Sequence, residues 1–274
     1  MTRREFGSLP LAAWAPDSRV SGVRIGAQSY SFRDRPLAEA VDALRQVGLT
    51  VCELWQGHVE PRTKDREELR RWRTSTPLDH FQDVRRRFRD AGIDLYAYNY
   101  SFRDDFSDEE IARGFEMARA MRVKALTASA TVSAARRVAP YSLKHKVVVA
   151  MHNHSNVKDP NEFATPESFE QALDYSRYFA INLDVGHFFA AGFDPVAFIE
   201  KHHSHIVTLH LKDRKANQGS NVPFGEGDTP VKEVLLLLRK NKYRIPAMIE
   251  YEYKGGDAIA EVRRCYEYCK QALS

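Results

Sequence analysis

The sequence predicts an α/β protein that forms a single (β/α)8 TIM barrel, and three observations support this fold. The chain has 274 residues, close to the roughly 250 of an eight-stranded βα barrel. Eight short apolar runs alternate with helical patterns, at intervals that leave room for one helix between successive strands. No low-complexity segment or linker divides them. We therefore expect one barrel over residues 23–274, preceded by an N-terminal arm over residues 1–22.

The predicted strands are short, apolar and rich in β-branched or aromatic residues, as buried strands are. In chain order they are VRIGAQSY, TVCELW, DLYAYNY, VKALTAS, KVVVAMHNH, FAINLDVGH, HIVTLHLKD and AMIEYEY. In a parallel barrel the carboxyl ends of all strands open onto one face. Side chains at these strand ends should therefore converge.

Helical patterns fill the intervals between the strands. PLAEAVDALRQVG closes at Gly48 and FQDVRRRFRDAG closes at Gly92, a residue type that commonly ends a helix. DEEIARGFEMARAM, TPESFEQALDYSRYF and TPVKEVLLLLRKNK have the same spacing of apolar residues. The last two open on a Thr–Pro pair, which predicts a threonine cap followed by proline in the first helical turn.

The composition is that of a globular enzyme without a membrane span. Hydrophobic residues make up 43% and charged residues 28% of the chain, and no run approaches the roughly 18 apolar residues of a membrane helix. The formal net charge is +4. Its surplus arginines are Arg70, Arg71 and Arg73, and Arg85, Arg86, Arg87 and Arg89. Because no aromatic residues interleave with them, we interpret both groups as solvated helix faces and not as a nucleic-acid surface. Self-association into a homo-oligomer stays open.

The three cysteines do not indicate a disulfide scaffold. Cys52 lies inside an apolar run, and Cys265 and Cys269 are four residues apart on the last helical pattern. We expect all three to pack as free thiols.

The N-terminus resembles the start of a twin-arginine export signal. Arg3 and Arg4 precede LPLAAWAP, which is a poor and shortened version of the apolar region that such a signal needs. We interpret residues 1–22 as a removable arm outside the barrel, derived from a decayed or clipped signal. A cytoplasmic location is favoured, with periplasmic export as the alternative.

Four metal-capable side chains stand at the ends of the last four predicted strands. They are His152, Asp184, His210 and Glu250. A lone histidine at a strand end is more often a hydrogen-bonded core residue than a ligand, but equivalent positions on neighbouring strands indicate a converging set. Mixed imidazole and carboxylate ligands suit one divalent ion such as Mn, Co, Zn, Mg or Fe. His187, three residues after Asp184, could complete the ligand set or bind a substrate oxygen.

These residues resemble the xylose-isomerase-like TIM barrels of the sugar phosphate isomerase/epimerase superfamily. The matching motifs are LDVGH, LHLKDR, FGEGD and IEYEY, supported by ELW and GAQSYSFRD, and together they extend from Val23 to the C-terminus. The resemblance implies one divalent ion held by a Glu, an Asp, a His and a Glu from the fifth to the eighth strands. Asp184, His210 and Glu250 match the last three.

The fifth-strand ligand departs from the family pattern. Where the family most often has Glu-Asn-His, this chain has His152, Asn153 and His154, so His152 is the expected ligand and His154 the alternate. Only Glu250 then remains as a carboxylate base, and an ion with two carboxylates is a stronger Lewis acid than one with three.

The resemblance implies a metal-dependent sugar isomerase or epimerase that acts on a keto-sugar or polyol through an enediolate. Elimination from an inosose or a 3-keto-glycoside is the alternative, with His152 or His187 as general acid and Glu250 as base. The expected substrate is a small carbohydrate. No dense cluster of basic residues follows the strands, which favours an unphosphorylated one.

Further residues are expected to contact this substrate. They are Glu53, Trp55 and His58 after the second strand, His154 and His187, Lys212 and Arg214 in LHLKDR, and Gln28, Tyr30 and Asn99. Trp55 packing under a loop, and an ion pair of Lys212 or Arg214 with Asp213, are the alternatives. The FGEG segment is interpreted as a backbone turn, since no GKS or GKT follows it.

Two alternative functions can be distinguished from this one. A phosphodiesterase resembling endonuclease IV would need three zinc ions and further histidine and aspartate ligands, which QGSNVPFGEG and the third strand do not supply. A non-catalytic sugar-binding barrel that keeps the ion for stability would never exchange substrate hydrogen with solvent.

Overall fold

The computed structural model describes residues 17–274 and contains a closed barrel of eight parallel strands. The strands are β1 (Val23–Gln28), β2 (Val51–Trp55), β3 (Asp94–Asn99), β4 (Ala125–Ala128), β5 (Val148–His152), β6 (Phe179–Asp184), β7 (Ile206–Leu211) and β8 (Ala247–Ile249). Each strand pairs in parallel with its neighbours in chain order, and β8 pairs with β1. The predicted TIM barrel is confirmed.

Helices cover the outside of the barrel. They are α1 (Leu37–Val47), α2 (Arg66–Ser75), α3 (Leu78–Asp90), α4 (Asp108–Met121), α5 (Val132–His145), α6 (Pro166–Tyr175), α7 (Val185–Ala190), α8 (Pro195–His202), α9 (Val231–Asn241) and α10 (Ala258–Leu273). No helix among the described residues is long and apolar enough to cross a membrane. Cys52, Cys265 and Cys269 are buried free thiols, as predicted.

The helix ends follow the sequence signals in all but one case. Gly48 ends α1 in the left-handed conformation with a φ of 90°, which glycine adopts without steric cost. Thr165 caps α6, and Pro166 is its first residue. The second Thr–Pro prediction is wrong, because α9 begins after Pro230 and has no side-chain cap. The Thr229 hydroxyl instead accepts the backbone N–H of Arg214 at 3.0 Å.

The predicted arm falls largely outside the described residues, and so does its arginine pair. Arg19–Val20 pairs antiparallel with the start of β1. Ser18 is buried, its hydroxyl donates to the Ile25 carbonyl at 2.6 Å, and its N–H donates to Thr50 Oγ1 at 3.0 Å. Residues 17–22 therefore pack against the amino-terminal end of the barrel. The division at residue 22 stays a prediction.

One arginine predicted to lie on a solvated helix face is buried. The Arg73 guanidinium donates to both carboxylate oxygens of Glu60 at 2.8 Å and to Glu110 at 3.1 Å. Arg66 also donates to Glu110, at 2.7 and 2.6 Å. This network joins α2 to α4 and to the segment after β2. Arg73 therefore has a structural role that the exposed Arg70 and Arg71 of the same helix do not share.

We expect Arg73→Ala to destabilise the fold by about 3 kcal/mol, because it leaves the buried Glu60 carboxylate without its cation. Arg70→Ala, at an exposed position of the same helix, is the matched control and should change the free energy of unfolding by less than about 0.5 kcal/mol. Urea denaturation measures both. Equal effects of the two substitutions would contradict a structural role for the buried network.

Candidate metal centre

The four predicted metal ligands come together at the carboxyl ends of adjacent strands. His152 and Asp184 are the last residues of β5 and β6, and Glu250 directly follows β8. His210 lies in β7 in register with Asp184. All four side chains are buried, and one ligand atom from each lies within 4.8 Å of the others.

The polar atoms of this cluster suit a bound cation. Two of its buried atoms, His152 Nδ1 and Asp184 Oδ2, have no hydrogen-bond partner, although buried polar atoms are normally paired. Lys212 Nζ lies 3.0 Å from Asp184 Oδ2, but it does not point along a hydrogen bond to it. Burial lowers the pKa of His152 well below its ordinary value, which keeps the imidazole neutral as metal ligation requires. The donor set therefore fits a divalent ion.

His210 lies between two carboxylates. Its Nε2 is 2.9 Å from Glu53 Oε2, and its Nδ1 is 3.1 Å from Glu250 Oε2. Burial opposes a charge on the ring, but Glu53 and Glu250 outweigh it and raise the pKa of His210 well above its ordinary value. Without an ion both ring nitrogens therefore carry a proton, and an ion bound by Nδ1 would displace the proton on the side of Glu250, while Nε2–H still donates to Glu53. A carboxylate behind a histidine ligand commonly fixes its tautomer in this way.

Glu53 lies below the cavity and not on its wall. Its carboxylate is fully buried and accepts hydrogen bonds from Gln28 Nε2 at 3.0 Å, Thr127 Oγ1 at 2.7 Å and Asn182 Nδ2 at 3.3 Å. With His210 as a further partner, its oxygens are occupied by the protein. The structure therefore places Glu53 as a support of His210.

Lys212 brings a buried ammonium group into the same cluster. Its Nζ lies 3.0 Å from Asp184 Oδ2, 2.9 Å from Glu250 Oε2 and 2.6 Å from Glu252 Oε2. Burial opposes the charge, but these carboxylates raise the pKa of Lys212 above its ordinary value. In return, Lys212 and His210 outweigh the burial of Glu250 and hold the pKa of that carboxyl well below its ordinary value.

The alternative ion pair of Lys212 or Arg214 with Asp213 is not formed. The Asp213 carboxylate instead accepts the backbone N–H groups of Gly225 at 2.8 Å and Gly227 at 3.0 Å. The FGEG segment is thus a turn, as predicted. Its amides are occupied by a side chain of the same protein.

His187 lies between two cationic side chains. Arg214 Nη1 lies 2.7 Å from His187 Nδ1 and donates to Ser155 Oγ at 3.1 Å. Lys212 Nζ lies 3.2 Å from His187 Nε2. Burial lowers the pKa of His187 well below its ordinary value, so the ring is neutral and can accept a hydrogen bond from only one of these two donors. The ring also lines the cavity.

A cavity of about 340 Å³ opens above the four ligands. It is lined by Gln28, Tyr30, Trp55, Asn99, Ser101, Ser129, His152, His154, His187, His210, Lys212, Glu250 and Glu252. The rings of Tyr30 and Trp55 meet edge to face at 5.0 Å and form one wall. Three larger hollows among the described residues, two of about 540 Å³ and one of about 610 Å³, are lined by residues without a histidine. The cavity above the ligands is at the small end of ligand pockets and suits one small molecule.

His58 does not reach this cavity. Its ring packs edge-on against Trp55, with centroids 5.4 Å apart. Its Nδ1 lies 2.9 Å from Ser29 Oγ, and its Nε2 lies 3.2 Å from the Phe32 carbonyl oxygen. The structure therefore places His58 as a support of Trp55.

The sequence reasoning missed three cavity residues, which are Ser101, Ser129 and Glu252. Glu252 lies two residues beyond Glu250, and its side chain is 25% exposed. The strand period of two places both residues on the same face. The alternation in IEYEY was the signal that could have identified it.

We expect Glu53→Gln to weaken the binding of Mn²⁺ or Zn²⁺ by about 10- to 100-fold, because loss of a carboxylate behind a histidine ligand has effects of this size. Isothermal titration calorimetry measures the affinity. Glu39→Gln, at an exposed position of α1, makes the same change of charge and should leave the affinity unchanged. Equal affinities of Glu53→Gln and the wild type would show that Glu53 does not orient His210.

Comparisons with known proteins agree with this geometry. The family described as xylose isomerase-like TIM barrel matches residues 41–269. L-ribulose-5-phosphate 3-epimerase UlaE of Escherichia coli is 29% identical over 119 residues, which cover 41% of this chain and 42% of that protein. The chain thus spans about two fifths of the length of this curated relative.

Two solved structures share the fold at low sequence identity. D-allulose 3-epimerase from Methylomonas sp. superimposes with a TM-score of 0.66 and 14% identity, over 91% of this chain and 98% of that one. The probable 3-DHS dehydratase AsbF from Bacillus anthracis gives a TM-score of 0.67 and 16% identity, over 89% and 97% of the two chains. At these identities the likeness shows the fold alone.

Proposed function

The chain belongs to the xylose isomerase-like TIM barrel family, and we propose that it is a divalent-metal-dependent sugar isomerase or epimerase that works through an enediolate. The observation that carries this proposal is the convergence of His152, Asp184, His210 and Glu250 within 4.8 Å at the floor of a small polar cavity. The similarity to an annotated sugar 3-epimerase over part of the chain supports it.

His152, Asp184, His210 and Glu250 would hold the ion. A bound Mn, Co, Zn, Mg or Fe ion supplies Lewis-acid stabilisation of the negative charge that develops on substrate oxygens. Glu53 keeps His210 in the orientation that ligation needs, since it lies 2.9 Å from the nitrogen opposite the ligand atom. Asn153 holds the backbone of Asp184 in place, because its Oδ1 accepts the Asp184 N–H at 2.9 Å.

Glu250 is the proposed base. Its low pKa keeps the carboxylate ionised at neutral pH, and it lines the cavity floor. In this position it can remove a proton from the carbon next to a substrate carbonyl. The neutral His187 lines the same cavity and can bind the oxygen that becomes negative in this step if that oxygen replaces Lys212 Nζ, which lies 3.2 Å from its Nε2.

The cavity walls suit a carbohydrate. Trp55 and Tyr30 present aromatic surface, against which the apolar face of a sugar ring can pack. Asn99, Ser101 and Ser129 add uncharged polar groups that can bind hydroxyls. The combination of aromatic surface and uncharged polar groups supports a monocyclic keto-sugar or polyol as the substrate.

Elimination is the second candidate, and the identity of residue 152 favours it. Epimerisation needs a proton to be returned to the opposite face of the carbon, and His152 stands where the family commonly has a second carboxylate. A single base, Glu250, and a hydrogen-bond donor, His187, are sufficient for loss of a hydroxyl or glycosyl group.

Incubation with unlabelled ketoses, inososes and 3-keto-glycosides in D2O with Mn²⁺ tests this function. We expect an inverted product with deuterium at the carbon next to the carbonyl for an epimerase, and an unsaturated product that has lost the hydrogen of this carbon for a lyase. Asp184→Ala and His210→Ala should abolish both metal binding and exchange, because each removes a ligand from the Lewis-acid site. Metal and sugar binding without any deuterium exchange would instead support a non-catalytic sugar-binding barrel.

We expect His152→Glu to retain metal binding and to shift the product ratio towards epimerisation, since it restores a second carboxylate on the fifth strand. Product analysis by NMR and metal titration measure the two effects. Full metal occupancy and unchanged activity in His152→Ala would contradict ligation by His152 and favour His154 or His187 as the ligand.

A further inference from the structure

We propose that Lys212 is a built-in counter-cation of the metal centre, which stabilises its carboxylates in the absence of the divalent ion and lowers the affinity for that ion. This inference rests on the proposed metal site. It assigns a positioning role to a residue that sequence reasoning placed only among substrate contacts.

The contacts of the ammonium group support this role. Asp184 Oδ2, Glu250 Oε2 and Glu252 Oε2 lie 3.0, 2.9 and 2.6 Å from Lys212 Nζ. The ammonium group forms ion pairs with these three oxygens, and its Nζ also lies 3.2 Å from His187 Nε2. Two of these oxygens belong to proposed metal ligands. The ammonium group and a divalent ion would therefore share the same negative charges.

The structure holds Lys212 in this position. The residue is 2% exposed, and it lies two residues beyond His210, on the same face of the chain. The first turn of α7 packs directly on its backbone at Gly186. A Cβ on Gly186 would lie 2.6 Å from the Lys212 carbonyl oxygen and 2.9 Å from its Cβ, so only glycine allows this approach. Lys212 is thus enclosed, unlike a surface lysine that reaches in from solvent.

A buried cation that shares ligands with a second cation must affect its binding. Like charges repel strongly where water is excluded, so Lys212 should disfavour the divalent ion. Without either cation, the carboxylates of Asp184, Glu250 and Glu252 would repel one another. Lys212 should therefore stabilise the metal-free protein and weaken metal binding together, a pair of effects that a residue serving only to pack the site would not have.

The test uses the full chain with Lys212→Met, which removes the charge and keeps an unbranched side chain. Calorimetric titration with Mn²⁺ and Zn²⁺ gives the affinity, and thermal melting with and without the ion gives the stability. We expect metal binding at least about tenfold tighter than in the wild type. The melting temperature of the metal-free protein should fall, and the ion should restore it.

Two further variants separate this role from general effects of charge. Lys215→Met removes one positive charge at an exposed position, where the ammonium group lies 3.4 Å from Asp228 Oδ1, and it should leave the metal affinity unchanged. Glu252→Gln removes the carboxylate closest to Lys212. The ammonium group is then left with the oxygens of Asp184 and Glu250, so we expect weaker metal binding, opposite to the effect of Lys212→Met.

Unchanged or weaker metal binding by Lys212→Met would overturn the inference while the proposed function stands. If Lys212→Met folds only with the ion present, that dependence supports the inference, and the affinity of Glu252→Gln decides it. If the wild type binds no divalent ion but Lys212→Met does, the proposed function fails and the inference holds. Binding by neither protein would overturn both.

Discussion

The site depends on one physical constraint, which is the stabilisation of four carboxylates at the carboxyl end of the barrel. Glu53, Asp184, Glu250 and Glu252 lie in or beside the enclosed floor of the cavity. Charges in such a place are unfavourable unless they are paired and hydrogen-bonded. His210 lies between Glu53 and Glu250. The Lys212 ammonium lies among Asp184, Glu250 and Glu252. Gln28, Thr127 and Asn182 donate to Glu53 and so support His210 through it.

The side chains of the site lie in an inner and an outer layer, because the strands have a period of two. Residues two apart on one strand point to the same face, so a ligand in the inner layer is followed by a second side chain nearer the cavity mouth. The pairs are His152 and His154, His210 and Lys212, and Glu250 and Glu252. The inner members form the proposed ion site, whereas the outer members line the cavity above it. An ion and a substrate can thus be served by adjacent positions of the same strands.

The sequence predicted the barrel and the convergence of His152, Asp184, His210 and Glu250 because both depend on local pattern. Apolar runs define the strands, and their ends must converge once the sheet closes. Contacts across the fold were harder to predict. Arg73 looks like its solvated neighbours on α2, since nothing local shows that Glu60 and Glu110 lie opposite it. Glu53 was expected to line the cavity. It is buried below the cavity instead, where Gln28 and Thr127 of other strands donate hydrogen bonds to its carboxylate. The helix α5 was also hard to predict. Pro140 lies inside it, and a proline in the sequence normally argues against a helix interior.

The chemistry follows from the charge that these layers leave for a substrate. Two ligand carboxylates would balance a divalent ion, and the Lys212 ammonium offsets Glu252, so the loaded site would keep one net negative charge, that of Glu53 below the cavity. A third ligand carboxylate, as in the family pattern, would add a second negative charge and would oppose an enediolate more strongly. With His152 in that place, the developing anion meets less repulsion. Formation of the anion is then helped by the whole site, whereas its fate depends on one position. A carboxylate at residue 152 could return a proton to the opposite face of the carbon, whereas a histidine in the proposed ligand role would have no proton on its ligating nitrogen. Residue 152 is therefore the point at which the same barrel would choose between inversion of a carbon and elimination from it.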